Sequence, residues 1–136
     1  MIAFFDASAP IYLIEGKEPF ASKARAELAA AAGKQPDLGS GVSRLTWLEC
    51  RVGPMKSNDH VVLAAFDAFF ARTDLVWVEL TEDVVELAAA IRVKHGLKTP
   101  DSLQAACCLQ LGNDHLFLTD DTAFKRVAGL NVKVLA

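Results

Sequence analysis

The sequence predicts an α/β sandwich built on a mainly parallel, five-stranded sheet, and three observations carry that expectation. Five short apolar runs rich in β-formers alternate with stretches of helical periodicity, the pattern of strands joined by helical crossovers. The 136 residues are 52% apolar and 23% charged, enough to bury a core without disulfides or metal staples. No Gly/Ser-rich linker, low-complexity run or fixed-period repeat interrupts the chain, so a single domain over residues 1–136 is expected.

Taken in order, residues 2–5 form an apolar strand that stops at Asp6. Residues 9–15 read as a short helix, with Pro10 tolerated in its first turn and Gly16 closing it. Phe20, Ala24, Leu28 and Ala31 recur at helical spacing, predicting a helix over 18–32 that ends at Gly33. Residues 37–42 are a strand weakened by two glycines. Ser43 is a suitable N-cap for a helix to about Val52, stopped by Gly53-Pro54. Ser57 or Asn58 caps the next helix, whose apolar face is Val62, Ala65, Phe66 and Phe69.

A third strand spans 75–78. Thr81 caps a helix through His95 with Val84, Leu87, Ala88 and Ile91 as its stripe, and Gly96 stops it. Thr99-Pro100-Asp101 supplies a cap, a proline at the first position and an acid in the first turn of a helix to about Leu111. A fourth strand over 115–118 leads into Thr119-Asp120-Asp121 and a short helix to about Val127. Residues 131–135 are the fifth strand.

Composition excludes several classes. The longest apolar run, Val61 to Ala71, is short and carries Asp67, so no membrane-spanning helix is expected. The N-terminus has no basic segment ahead of its apolar residues and meets Asp6 early, unlike a signal peptide, which makes the cytoplasm the expected location. Net charge is −3, so any nucleic-acid contact must come from a local basic patch. Cys50, Cys107 and Cys108 show no metal-finger spacing and read as small buried apolar residues. His60, His95 and His115 are scattered, with neither triad nor metal spacing.

The acids are the informative residues. In parallel α/β sheets, ligands bind beyond the carboxyl ends of the strands. Asp6 ends the first strand, Asp120 and Asp121 end the fourth, Asp101 opens a helix facing the same rim, and Glu49 borders an apolar helix face with Leu45, Leu48 and Val52. Singly, each has a structural explanation: an Asx turn for Asp6, helix-dipole complementarity for Asp101, a cap for Asp120, a solvated helix position for Glu49. Together they make a carboxylate cluster. Two carboxylates about 5 Å apart repel by roughly 3 kcal/mol at an effective dielectric near 20, so such a group holds protons or recruits a cation. All-oxygen ligands select hard ions, Mg²⁺ or Mn²⁺, with open positions for water and phosphate.

Four segments, in order and spacing, resemble those of PIN-domain ribonucleases of the VapC toxin type. Ile-Ala-Phe-Phe-Asp-Ala-Ser-Ala (2–9) resembles the family's apolar strand ending in Asp-x-Ser, and Ser43-Arg-Leu-Thr-Trp-Leu-Glu49 its Ser-x-x-Thr-x-x-Glu helix. Gly96-Leu-Lys-Thr-Pro-Asp101-Ser-Leu-Gln-Ala-Ala resembles its Pro-Asp-Ala-Leu-x-x-Ala segment, and Phe117-Leu-Thr-Asp-Asp121-Thr-Ala-Phe its Thr-x-Asp-x-x-Phe segment. Ala7 stands where Thr is common and Ser102 where Ala is usual; neither removes an acid.

The resemblance implies a three-layer α/β/α PIN-like fold and an acidic quartet of Asp6, Glu49, Asp101 and Asp121. Asp6, Asp101 and Asp121 would hold Mg²⁺ or Mn²⁺, Glu49 would complete the pocket or position a water, and Ser8 and Thr119 would assist as polar neighbours. Motif register favours Asp121 as the fourth acid, with Asp120 as the helix cap or an outer acid. It further implies endoribonuclease activity, often on transfer or ribosomal RNA, inhibition by a VapB-type antitoxin, and homodimerisation. Arg44 and Arg51 flank Glu49 and are the candidate phosphate contacts; for Arg51, as for Lys125 and Arg126, plain surface solubility is the competing reading.

Two rival enzyme classes fit less well. A haloacid-dehalogenase-like phosphatase needs a second acid where Ser8 stands, and a response-receiver domain needs an acceptor Asp after the third strand, where Val78-Glu79 stands, and a lysine after the fifth, where Leu135-Ala136 stands. The non-enzymatic alternative is a catalytically silent PIN-fold scaffold for RNA or protein.

Overall fold

The computed structural model describes residues 1–135; Ala136, the last residue of the expected domain, lies outside the described residues. The elements are β1 (Ile2–Phe5), α1 (Ser8–Glu15), α2 (Phe20–Lys34), β2 (Gly39–Ser43), α3 (Arg44–Ser57), α4 (His60–Phe70), β3 (Leu75–Val78), α5 (Glu82–His95), α6 (Thr99–Leu109), β4 (His115–Thr119), a 3₁₀ turn (Thr122–Arg126) and β5 (Val132–Val134). The sheet runs β3-β2-β1-β4-β5. Every pairing is parallel, so the sheet is wholly parallel where the sequence predicts it mainly so.

Strand periodicity divides the core between two faces. Phe4 and Phe117 point to one side, against Val84, Ala88 and Ile91 of α5 and Ala105, Ala106 and Cys108 of α6. Ala3, Phe5, Val42 and Leu118 point to the other, against Ala9 of α1, Ala24 of α2, Cys50 of α3 and Phe66 and Phe70 of α4. Helices on both faces make the three-layer α/β/α sandwich. The two glycines of β2 permit close approach: a Cβ on Gly39 would meet Ile2 Cδ1 at 2.8 Å, and one on Gly41 would meet Ile2 Cγ2 at 3.0 Å and the Val76 carbonyl at 3.4 Å.

Several boundaries differ from expectation. Gly53-Pro54 does not stop α3, which contains Pro54 and runs to Ser57. The stop comes later: Asn58 takes the left-handed conformation, and the Ser57 hydroxyl donates to the Gly53 and Pro54 carbonyls. Asp59, rather than Ser57 or Asn58, then caps α4 by accepting from the Val62 N–H. Gly33 lies within α2, which ends at an extended Gln35. Thr99 is the first residue of α6, with Lys98 in the cap position and no side-chain cap bond. Ser43 and Thr81 cap α3 and α5 as expected.

Among the described residues, no helix is long and apolar enough to cross a membrane. Phe117 is fully buried between the Phe4 and Phe124 rings. Phe117→Ala is expected to cost about 3–5 kcal/mol, measured by urea denaturation; a loss below about 1 kcal/mol would contradict this packing.

Candidate active site

The chain reverses its direction of strand addition between β1 and β4. After building β2 and β3 on one side of β1, it crosses through α5 and α6 to place β4 on the other. Ligands bind at such switch points, beyond the carboxyl ends of the strands. Asp6 follows β1 there, and Asp120 and Asp121 follow β4. Phe5 pairs with Leu118, which sets Asp6 beside Thr119, and the Asp6 N–H donates to the Leu118 carbonyl at 3.3 Å.

Asp6 is only 8% exposed. Its Oδ1 accepts from the Ser8 N–H at 3.0 Å and the Ser8 hydroxyl at 2.6 Å, and its Oδ2 accepts from the Thr119 hydroxyl at 2.5 Å. The first contact is an Asx turn, so the local-structure reading of Asp6 holds alongside its place on the rim. Burial pushes the Asp6 carboxyl up to about 6, against the lowering effect of Ser8 and Thr119, and the Asp120 charge adds to the rise.

The paired acids after β4 take separate tasks. Asp121 Oδ1 accepts from the Ala123 N–H at 2.9 Å and caps the 3₁₀ turn, a role the sequence offered to Asp120. Its own N–H donates to Thr119 Oγ1 at 3.1 Å. Asp120 Oδ2 accepts from the Tyr12 hydroxyl, and its N–H donates to Ser8 Oγ at 3.2 Å. That carboxylate pushes the Tyr12 phenol up to about 12.

Glu49 and Asp101 are half-buried, on α3 and in the first turn of α6. Burial raises the Glu49 carboxyl, the Gln104 amide opposes, and the Asp101 charge raises it further. Burial also raises Asp101, with Asp121 and Asp120 adding and Lys98 opposing. The five acids are thus linked in a chain of neighbouring charges: Asp6 with Asp120, Asp120 and Asp121 with Asp101, and Asp101 with Glu49.

The donor set is oxygen throughout, the chemistry that hard divalent cations take. Among the described residues, no three Asp, Glu, His or Cys side chains converge tightly enough to form a ready-made cage. Mg²⁺ does not need one, because it retains several waters and binds through one or two carboxylates. On donor chemistry and charge, the rim fits such an ion.

The basic candidates are already paired. Arg44 grips Glu79 through Nε and Nη and lies over Trp77, 4.1 Å from the ring centre. Arg51 bonds Asp67 at 2.9 Å and lies over Trp47. His115 is buried between the Gly112 carbonyl and the Asn131 N–H, a structural role. The three cysteines are free and buried. Sequence reasoning passed over Gln104 and Tyr12. A signal existed for both: Gln104 is a lone amide in an apolar stretch one turn after Asp101, and Tyr12 is the only tyrosine, one and a half turns beyond Asp6.

A wholly parallel sheet with acids at its switch point places the chain among the α/β domains. The PIN domain family model matches residues 3–130, and the chain belongs to that family. Solved structures share the fold across nearly all of both chains. VapBC2 from Rickettsia felis, bound to a DNA fragment from its promoter, has a TM-score of 0.76 at 16% identity, covering 98% of each chain. A toxin–antitoxin complex from Klebsiella pneumoniae has 0.70 at 24%, again covering 98% of each. VapBC-1 from nontypeable Haemophilus influenzae has 0.70 at 21%, covering 99% of this chain and 98% of the other. Comparison with the curated proteins gives no match.

The raised Asp6 carboxyl has a stability consequence. The folded protein holds this proton more tightly than the unfolded chain, so the contribution of Asp6 to the stability of the metal-free fold is lost as pH rises from about 4 through 6. Asp6→Asn removes that dependence. Its stability relative to wild type is expected to improve by about 1–3 kcal/mol between pH 4 and pH 7.5 in chelator. Denaturation curves at the two pH values measure this, and parallel behaviour of the two proteins would contradict it.

Proposed function

We propose that this PIN domain is a VapC-type toxin, a metal-dependent endoribonuclease held in check by a VapB-type antitoxin. One observation carries the reading: Asp6 and the Asp120–Asp121 pair follow the two strands that flank the switch point, and α3 and α6 bring Glu49 and Asp101 to the same end of the sheet. The toxin–antitoxin complexes among the structural neighbours support the partner. A homodimer acting in the cytoplasm belongs to the same proposal.

Asp6, Asp101 and Asp121 are the residues that would hold Mg²⁺ or Mn²⁺, directly or through water; such an ion, when bound, acidifies water and neutralises charge developing on a phosphate. The chain's own contributions follow from its hydrogen bonds. Ser8 and Thr119 fix both oxygens of Asp6, so the carboxylate presents a set orientation. Glu49 has Oε1 occupied by Gln104, while Oε2 takes no hydrogen bond among the described residues and would accept a proton from, or orient, an attacking water. Hydrolysis adds that water at phosphorus and breaks the bond to the 3′ oxygen.

Arg44 and Arg51 would supply phosphate contacts. Their present partners, Glu79 and Asp67, are each about half exposed, so a phosphate arriving from solvent can compete for both guanidinium groups. Arg51→Ala is expected to raise KM for an oligoribonucleotide several-fold with kcat nearly unchanged; an unchanged KM would assign Arg51 to the surface alone.

The decisive assay is Mn²⁺-dependent cleavage of a labelled RNA mixture. Asp6→Asn and Asp101→Asn are each expected to lower the rate at least about 100-fold, roughly 2.7 kcal/mol or more of barrier, while still unfolding cooperatively. Mn²⁺ is expected to raise the wild-type melting temperature but not that of Asp101→Asn. Full cleavage by both variants would overturn the assignment, and RNA binding without cleavage by wild type would favour the silent scaffold.

A further inference from the structure

We propose that Gln104 is a positioning residue for Glu49, clamping its carboxylate to the acidic rim from the buried side of α6. Gln104 is 2% exposed and sits in α6 one turn after Asp101, ahead of the buried run Ala105 to Cys108. An amide in such surroundings persists only with its donors and acceptor satisfied. Every one of them is used on the helix that carries Glu49 or on that helix's cap.

The direction of each hydrogen bond follows from its neighbours. The Ser43 hydroxyl oxygen accepts the Thr46 N–H at 3.1 Å, and its proton goes to Gln104 Oε1 at 2.8 Å. The Thr46 hydroxyl proton goes to the Phe5 carbonyl at 3.2 Å, leaving Thr46 Oγ1 to accept from Gln104 Nε2 at 2.8 Å. The remaining Nε2 proton is directed at Glu49 Oε1, at 3.0 Å. Turning the amide over would set its carbonyl oxygen against the Glu49 carboxylate, a mismatch that the present orientation avoids.

Gln104 therefore presents Glu49 with a donor whose direction is fixed from behind. Glu49 needs such a tether. It has three rotatable bonds, is half-buried, and feels the Asp101 charge. Released, it would relieve both burial and repulsion by swinging into solvent. The same network starts at Phe5, the residue before Asp6, and passes through the helix that carries Asp101, so one chain of bonds sets the relative placement of three rim acids.

The kinetic arm of the test rests on the ribonuclease reading; the crystallographic arm does not. Gln104→Met keeps the length and removes the donor. In metal-free crystals of this variant, the Glu49 carboxylate is expected to leave its wild-type position; an unmoved Glu49 would overturn the proposal. In cleavage assays, Gln104→Met is expected to lower kcat about tenfold with KM within twofold. Added to Glu49→Gln, it is expected to cause no further loss, because its effect acts through the carboxylate. Effects that multiply in the double variant would mark Gln104 as merely structural and overturn the proposal. If Gln104→Met does not fold, Gln104→Leu, which likewise has no donor, carries the same expectations. Absence of cleavage by wild type would refute the ribonuclease reading alone, with Gln104 then judged by the position of Glu49.

Discussion

Burial of the Asp6 carboxylate without a cation organises this end of the molecule. Among the described residues, no Lys, Arg or His forms an ion pair with it. Its charge is offset only by the Ser8 and Thr119 hydroxyls and the Ser8 N–H. A buried charge is costly unless paired or hydrogen-bonded, and the hydroxyls compensate only in part, since the carboxyl still rises to about 6. Asp120, Asp121, Asp101 and Glu49 then add negative charge to the same rim. That arrangement works against folding stability, and its retention is understandable if a positive ligand completes it.

The fold makes the arrangement hard to avoid. Five parallel strands deliver their carboxyl ends to one edge, and the crossing from β3 to β4 opens the switch point beside β1. Thr119 closes β4 opposite Asp6 because the register sets Phe5 against Leu118. The Ser43 cap starts α3 from β2 and so brings Glu49 to the same edge, while α6 brings Asp101. No loop longer than a few residues separates an acid from a rigid element, which suits a site that must hold several like charges in place.

Much of this was legible in the sequence, for identifiable reasons. Strand runs such as Ile2–Phe5 and helix caps such as Ser43 and Thr81 are local signals, and they stood where the local rules put them. Pro54 misled because a proline usually ends a helix. Here the residues that end it are Ser57, Asn58 and Asp59, which satisfy the last carbonyls and start α4. Strand ends named the acidic positions, but the division of labour between Asp120 and Asp121 depended on Tyr12, which is 108 residues away. Gln104 was missed for the same reason: its meaning lies in Ser43, Thr46 and Glu49, contacts that no spacing rule shows.

The rim should be a place where a divalent ion replaces the protons and relieves the repulsion. Anomalous scattering from crystals equilibrated with Mn²⁺ above pH 6.5 tests this directly. An ion peak is expected at the switch point, in contact with oxygens of Asp6 and of Asp101 or Asp121. Saturating Mn²⁺ that leaves the rim without a peak, with every one of these carboxylates unmoved, would contradict a cation site there.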